Sequence, residues 1–122
     1  MGHVRTVIFK PYLDPAMPRF RLVISDTGLT WGCDGKTRLA YTLSMHQGRK
    51  TIIFEGSDFY ASPLHAIDSD EVVKALMDFL TLREGDVEAD YFANYTPEQL
   101  AFRDRHAEAL SCEVYARFGD DA

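Results

Sequence analysis

The chain has 122 residues, 46% apolar and 26% charged, with a formal charge of −6. That size and composition describe one compact domain with its own core and exclude a disordered or collagen-like chain. No apolar run approaches the roughly 20 residues a membrane span needs, and the start Met1-Gly2-His3-Val4-Arg5 carries no signal-peptide core, so a cytoplasmic setting is expected. Charge is split by position: residues 1–55 balance to +4 and residues 56–122 to −10. Such a split bears on partner choice and encounter rate rather than on fold. Cys33 and Cys112 lie far apart and read as two reduced thiols, with Cys112 buried in a helix.

In chain order, Val4–Phe9 reads as a strand closed by Lys10-Pro11, and Pro11, Pro15 and Pro18 make the next segment a loop. Alternation then returns. Phe20, Leu22 and Ile24 share one face and Arg19, Arg21 and Ser25 the other. Asp26-Thr27-Gly28 is turn chemistry, after which Leu29-Thr30-Trp31 resumes an extended pattern. Leu39, Tyr41, Leu43 and Met45 alternate with Ala40, Thr42, Ser44 and His46, and Gln47-Gly48 turns the chain into Thr51–Phe54. Residues 3–55 are therefore expected to form an antiparallel meander of about five strands.

The second half changes period. Val72, Val73, Ala75, Leu76, Phe79, Leu80 and Leu82 make one helical face, opposite Lys74, Asp78 and Thr81, predicting a helix over about 69–83 capped by Asp68. Thr96-Pro97-Glu98-Gln99 combines a cap hydroxyl, a proline at the first helical position and a reciprocal Gln, predicting a helix over 97–118 that Gly119 closes. Leu100, Ala107, Leu110, Val114 and Phe118 form its apolar stripe. Strands first and helices after them, without βαβ alternation, predict a single α+β domain over 1–122. The two helices should cover one sheet face and leave Arg19, Arg21, Thr42, Ser44 and His46 on the other.

No catalytic, metal or cofactor signature is expected. Asp86, Glu88 and Asp90 are spaced like the start of a calcium loop, but the sixth position is Tyr91 and the twelfth Pro97, where a glycine and a bidentate Glu are needed. Ser62, His65, Asp58 and Asp68 supply the residue types of a hydrolase, giving an enzyme centred on His65 and Asp68 as a third-ranked reading. A triad is recognised by geometry, however, and a strand-to-helix crossover accounts for the same loop.

Two surfaces suggest binding. Residues 84–95 interleave carboxylates with aromatics: Asp86, Glu88 and Asp90 could steer a basic protein surface into encounter, and Tyr91, Phe92 and Tyr95 could anchor it. A cytosolic protein-binding accessory protein is the leading expectation. The runner-up is a nucleic-acid-binding module using Arg19, Arg21, Arg38 and Lys50 with Tyr or Trp31 rings for stacking. It ranks lower because the −10 of the back half repels phosphate unless it lies on the far side.

The blocks SPLHAIDSDE and YTPEQLAF, within Phe54–Phe102, resemble a family of small bacterial proteins of phage, plasmid and other mobile-element gene neighbourhoods. The resemblance carries no activity and no catalytic residue. It implies only a genomic setting, in which small acidic accessory proteins often inhibit host defence, so an anti-defence (anti-CRISPR-like) inhibitor is the sharpest form of the leading expectation.

Overall fold

A computed structural model describes residues 3–31, 35–62, 67–81 and 95–119, apart from the side chains of Trp31 and Asp58. The strands are β1 (Val4–Phe9), β2 (Arg19–Trp31), β3 (Lys36–Gln47) and β4 (Lys50–Ala61), followed by α1 (Asp70–Leu80) and α2 (Pro97–Phe118). The strands pair antiparallel in chain order, β1-β2-β3-β4, so the fold is the expected α+β meander backed by two helices.

Among the described residues the sheet has four strands where about five were expected, and it extends past residue 55 to Ala61. The reason for the merged strand is local. At Asp26-Thr27-Gly28 the chain does not turn back but bulges: register shifts between Asp26 and Thr30, and pairing with β3 resumes to Trp31. Asp26 accepts the Gly28 N–H at 2.8 Å, Thr27 donates to the Arg38 carbonyl at 2.8 Å, and Gly28 takes φ 79°. Turn residues thus supply the bulge their local hydrogen bonding favours, inside one long twisted strand. The turn between β3 and β4 is a two-residue loop whose first residue, Gly48, has φ 59°, as a hairpin of the II′ kind requires.

Alternation sorts the sheet faces. Val7, Phe9, Phe20, Leu22, Ile24, Leu39, Leu43, Met45 and Phe54 point to the helices and are buried. They meet Val72, Val73, Leu76, Met77 and Leu80 of α1 and Phe102, Leu110 and Val114 of α2. Burial of this contiguous apolar set is the main stabilising term, at about 25 cal/mol per Å².

Helix α1 starts one residue later than expected. Ser69, not Asp68, caps it, accepting the Glu71 N–H at 3.2 Å, while the Asp68 carbonyl accepts from Arg5 at 2.9 Å. It ends at Leu80 rather than near 83, with Thr81 as its C-cap at φ −102° and ψ 9°, outside helical geometry, and the Thr81 hydroxyl donating to the Met77 carbonyl at 2.8 Å. Helix α2 runs as expected, with the Thr96–Gln99 capping box formed in both directions. Its buried stripe includes Phe102, Arg103 and His106, which the sequence reading left out, and Cys112 is exposed rather than buried.

Helix α2 crosses the sheet from edge to edge. Near its start, Gln99 donates to the Ile53 carbonyl of edge strand β4 at 2.6 Å. Near its end, Arg117 donates to the Ile8 carbonyl of edge strand β1 and lies over the Phe9 ring, which packs edge-on against Phe118. At 1.5 Å per residue its 22 residues reach roughly 33 Å, ample for the span between the outer strands.

Candidate functional site on the open sheet face

The other sheet face has no described element over it. Register fixes its rows. Ile8, Arg21, Ser44 and Ile53 stand side by side across β1 to β4, and Arg19, His46 and Thr51 form the next row across β2 to β4. Lys10, one residue past β1, has the parity of Ile8 and extends the second row beyond Arg19. Lys10, Arg19, Arg21 and His46 line a groove of about 410 Å³ with Ile8 and Phe20. A second depression, bounded by Pro15, Met17, Gln47 and Gly48, continues from it through Arg19 and His46.

Under the cations sits a hydroxyl–imidazole chain. Ser44 Oγ lies 2.9 Å from His46 Nε2 and 3.4 Å from the Arg21 carbonyl, and Thr51 Oγ1 lies 3.4 Å from His46 Nδ1. Hydroxyls both donate and accept, so the ring is held whichever nitrogen carries a proton. Ser44 is buried and His46 half-buried, whereas Lys10, Arg19 and Arg21 are exposed.

Charge pairing separates these cations from four others. Arg5 pairs with Asp70, Lys50 with Glu98, Arg103 with Asp104 and Arg117 with Glu113. Among the described residues no carboxylate lies within ion-pair distance of Lys10, Arg19 or Arg21. The described acidic side chains of α1 and α2 stand on the far side of the sheet: Glu71, Asp78, Asp104 and Glu108 are exposed on the helical layer. On the open face itself the described carboxylate is Glu55, exposed at the β4 end of the Thr6–Val23–Thr42 row, beyond Ile53.

Of the four basic residues expected on this face, the structure brings two together. Arg38 belongs to the same face but lies at its far end, its Nε donating to the Ser57 carbonyl at 2.6 Å and its Nη2 to Ser57 Oγ at 3.1 Å. Lys50 has the opposite parity and reaches Glu98 of α2 at 3.6 Å, so it is not part of the open face. Lys10 was missed because it follows the strand signal, although its parity with Ile8 could have found it. Among the described side chains no expected stacking partner is at the cations: the Arg19 and Arg21 rows hold Ile8, Ser44, Ile53, His46 and Thr51, and Tyr60 pairs with Arg38 at the far end, while the Trp31 side chain lies outside the described residues.

Asp86, Glu88, Asp90, Tyr91 and Phe92 lie outside the described residues, as does His65. Tyr95 is half-buried, its ring 5.2 Å from that of Phe54 at 70°, so it pins the start of α2 to the core. Asp68 is exposed, and Ser62 lines a cleft of about 320 Å³ between the end of β4 and α1, with Phe59, Tyr60, Glu71, Val72 and Ala75. Among the described residues no group of His, Cys, Asp and Glu could hold a metal ion, and no helix is long and apolar enough to cross a membrane.

A second histidine is buried elsewhere. His106 of α2 is 4% exposed, with Nδ1 2.6 Å from the Tyr12 hydroxyl and Phe20 and Phe102 rings around it. Burial, and then the Arg105 charge, lowers its pKa below the ordinary 6.5, while burial raises that of Tyr12 above 10.0. The pair fastens the proline-rich loop to α2.

No protein-family model matches the chain, and no curated protein or solved structure does so either.

Proposed function

We propose that this protein is a nucleic-acid-binding module that engages phosphate through the open sheet face. The observation that carries the reading is the set of cations Lys10, Arg19 and Arg21, without an ion-pair partner among the described residues, in one groove of a protein whose net charge is −6. Leaving three cations together without counter-charges costs self-repulsion, which a bound anion relieves. The exposed Glu71, Asp78, Asp104 and Glu108 of the helices lie behind the sheet, which lowers their repulsion at the cations. Glu55 on the open face stands a row beyond Arg21, three strands of the sheet across from Lys10. Exposed Ile8, Ile53 and Val4 on the same face offer apolar surface to bases or sugars. Fluorescence anisotropy with single-stranded DNA and RNA at about 50 mM salt tests it. Three phosphate contacts predict a log–log salt slope near −2, about 0.7 per contact. Absence of binding, or binding that Arg19→Gln with Arg21→Gln leaves intact, refutes it.

The acidic side supports a second reading, a protein-binding accessory protein that docks a basic protein surface. Its observation is the exposure of Glu71, Asp78, Asp104 and Glu108 on the helical layer, which residues 84–95 adjoin in sequence. The inhibitor form of this reading rests on the mobile-element resemblance alone. The test is affinity capture by wild type and by an Asp86→Asn, Glu88→Gln, Asp90→Asn variant. A basic partner released by salt and lost in the variant supports the reading; salt-indifferent capture, or none, refutes it.

A further inference from the structure

We propose that the corner bounded by Lys10, Arg19, Arg21 and His46 is a phosphomonoester site, which reads the terminal phosphate of a strand rather than tracking its backbone; this rests on the nucleic-acid reading above. The argument starts from how charge is distributed over the open face. Along β2 the residues on this face after Arg21 are Val23 and Ser25, and their neighbours across the sheet are Thr6, Val4, Thr42 and Ala40, with the carboxylate Glu55 next to Thr42 on β4. The next cation, Arg38, is engaged by Ser57. A surface that follows a backbone needs charges repeated along its path, one for each phosphate it meets. Among the described residues, the cations of this face without an ion-pair partner are concentrated at one end.

A concentrated site suits a concentrated charge. A diester phosphate carries one negative charge, whereas a monoester carries about −1.5 to −2 at neutral pH on three terminal oxygens. Arg19 and Arg21 are two residues apart on one strand, roughly 6.6 Å along it, and long enough to converge on one group between them. Lys10 approaches from the β1 side and His46 from β3, opposite Arg19. Guanidinium groups offer paired N–H donors to phosphate oxygens, and the lysine adds a point charge. The groove volume of about 410 Å³ accommodates a phosphate and part of its first nucleoside, with exposed Ile8 as the apolar wall. The Ser44 and Thr51 hydroxyls are occupied by the His46 ring and so position it at the rim.

The test compares two oligonucleotides of one sequence, 3′-labelled, one with a 5′-phosphate and one with a 5′-hydroxyl, by anisotropy at about 50 mM salt. Adenosine monophosphate serves as competitor, and amide shifts of β2 and β3 give an independent readout. The expected result is about tenfold tighter binding of the phosphorylated strand, lost in the Arg19→Gln, Arg21→Gln variant while its melting temperature is kept. Equal binding of the two ends overturns the monoester site and leaves the backbone reading standing. Shifts with adenosine monophosphate but no binding of either strand uphold the site and refute the nucleic-acid reading. Preference for the phosphorylated end that survives in the variant places the phosphate elsewhere and overturns the proposal. Silence from every probe refutes both.

Discussion

The Tyr12 hydroxyl and His106 Nδ1, 94 residues apart in sequence, lie 2.6 Å apart beneath the proline-rich loop. His106 is shielded by Phe20, Phe102 and Tyr12 rings, and the charge of Arg105 acts on it. Both effects oppose a positive charge on the imidazole, so folding favours the neutral ring. Unfolding restores the ordinary value of 6.5.

The sign follows from linkage. Between the lowered folded pKa and 6.5 the unfolded chain binds more protons, so stability rises with pH across that window. The contribution is complete above 6.5 and is lost as pH falls through the folded value. Urea midpoints from pH 8 to pH 5 should show this decline, and His106→Gln should flatten it. A decline of equal steepness in that variant would assign it to the carboxylates. Tyr12→Phe should cost about 0.5–1.5 kcal/mol at pH 8, the usual worth of one hydrogen bond.

Gly56 is required by Tyr41. A Cβ at Gly56 would lie 2.6 Å from the Tyr41 hydroxyl oxygen and 2.9 Å from the ring carbon bearing it. Register between β3 and β4 also shifts here, where Tyr41 pairs with Gly56. Gly56→Ala should therefore destabilise by roughly 1–3 kcal/mol through overpacking. The double variant with Tyr41→Leu should recover part of the loss, measured as a denaturant double-mutant cycle. Additive losses would show that the strain is in the backbone and not between these two groups.

Two core residues and one surface residue test the helix packing. Leu76 of α1 is 0% exposed and Leu110 of α2 is 1% exposed, so each change to Ala should cost about 2–5 kcal/mol. Lys74 lies on the outer side of α1 with its ammonium 4.4 Å from the centre of the exposed Tyr115 ring. That contact is worth about 0.5–1 kcal/mol at an exposed site, so Lys74→Ala should cost no more. Equal losses from all three, by chemical denaturation, would contradict the arrangement.

Periodicity made most of this architecture legible. Alternation at Phe20–Ile24 and Leu39–Met45 identified both the buried and the open face, because a period of two assigns every side chain at once. Thr96 and Gln99 marked the start of α2 because capping is local chemistry. What failed was decided at a distance. Asp26–Gly28 resembles a hairpin turn until β3 pairs beyond it. Arg103 and His106 look like solvent-facing residues on α2, yet both are buried, His106 under the Tyr12 loop against Phe20 and Phe102. Lys50 and Arg38 read as part of one basic face with Arg19 and Arg21, but Glu98 and Ser57 come from other elements and claim them. Composition reports how many cations a face contains, and only tertiary contacts report which are already spent.

That distinction yields the last prediction, in which stability and binding separate. Arg38 donates twice to Ser57, so Arg38→Gln removes charge-assisted hydrogen bonds that hold β3 to β4 near the bulge. It should destabilise by about 1–3 kcal/mol and leave anion affinity nearly unchanged. Arg21 is exposed and has no carboxylate partner among the described residues. Arg21→Gln should shift stability by about 0.5 kcal/mol or less, because it breaks no ion pair and relieves repulsion with Arg19 and Lys10. Its effect should fall on binding, weakening a phosphate-bearing strand several-fold and reducing the salt slope by about 0.7. Thermal denaturation and anisotropy on the same two variants decide the matter. If Arg21→Gln destabilises as much as Arg38→Gln, the guanidinium serves the fold. If both bind as wild type does, the open face is not where phosphate meets this protein.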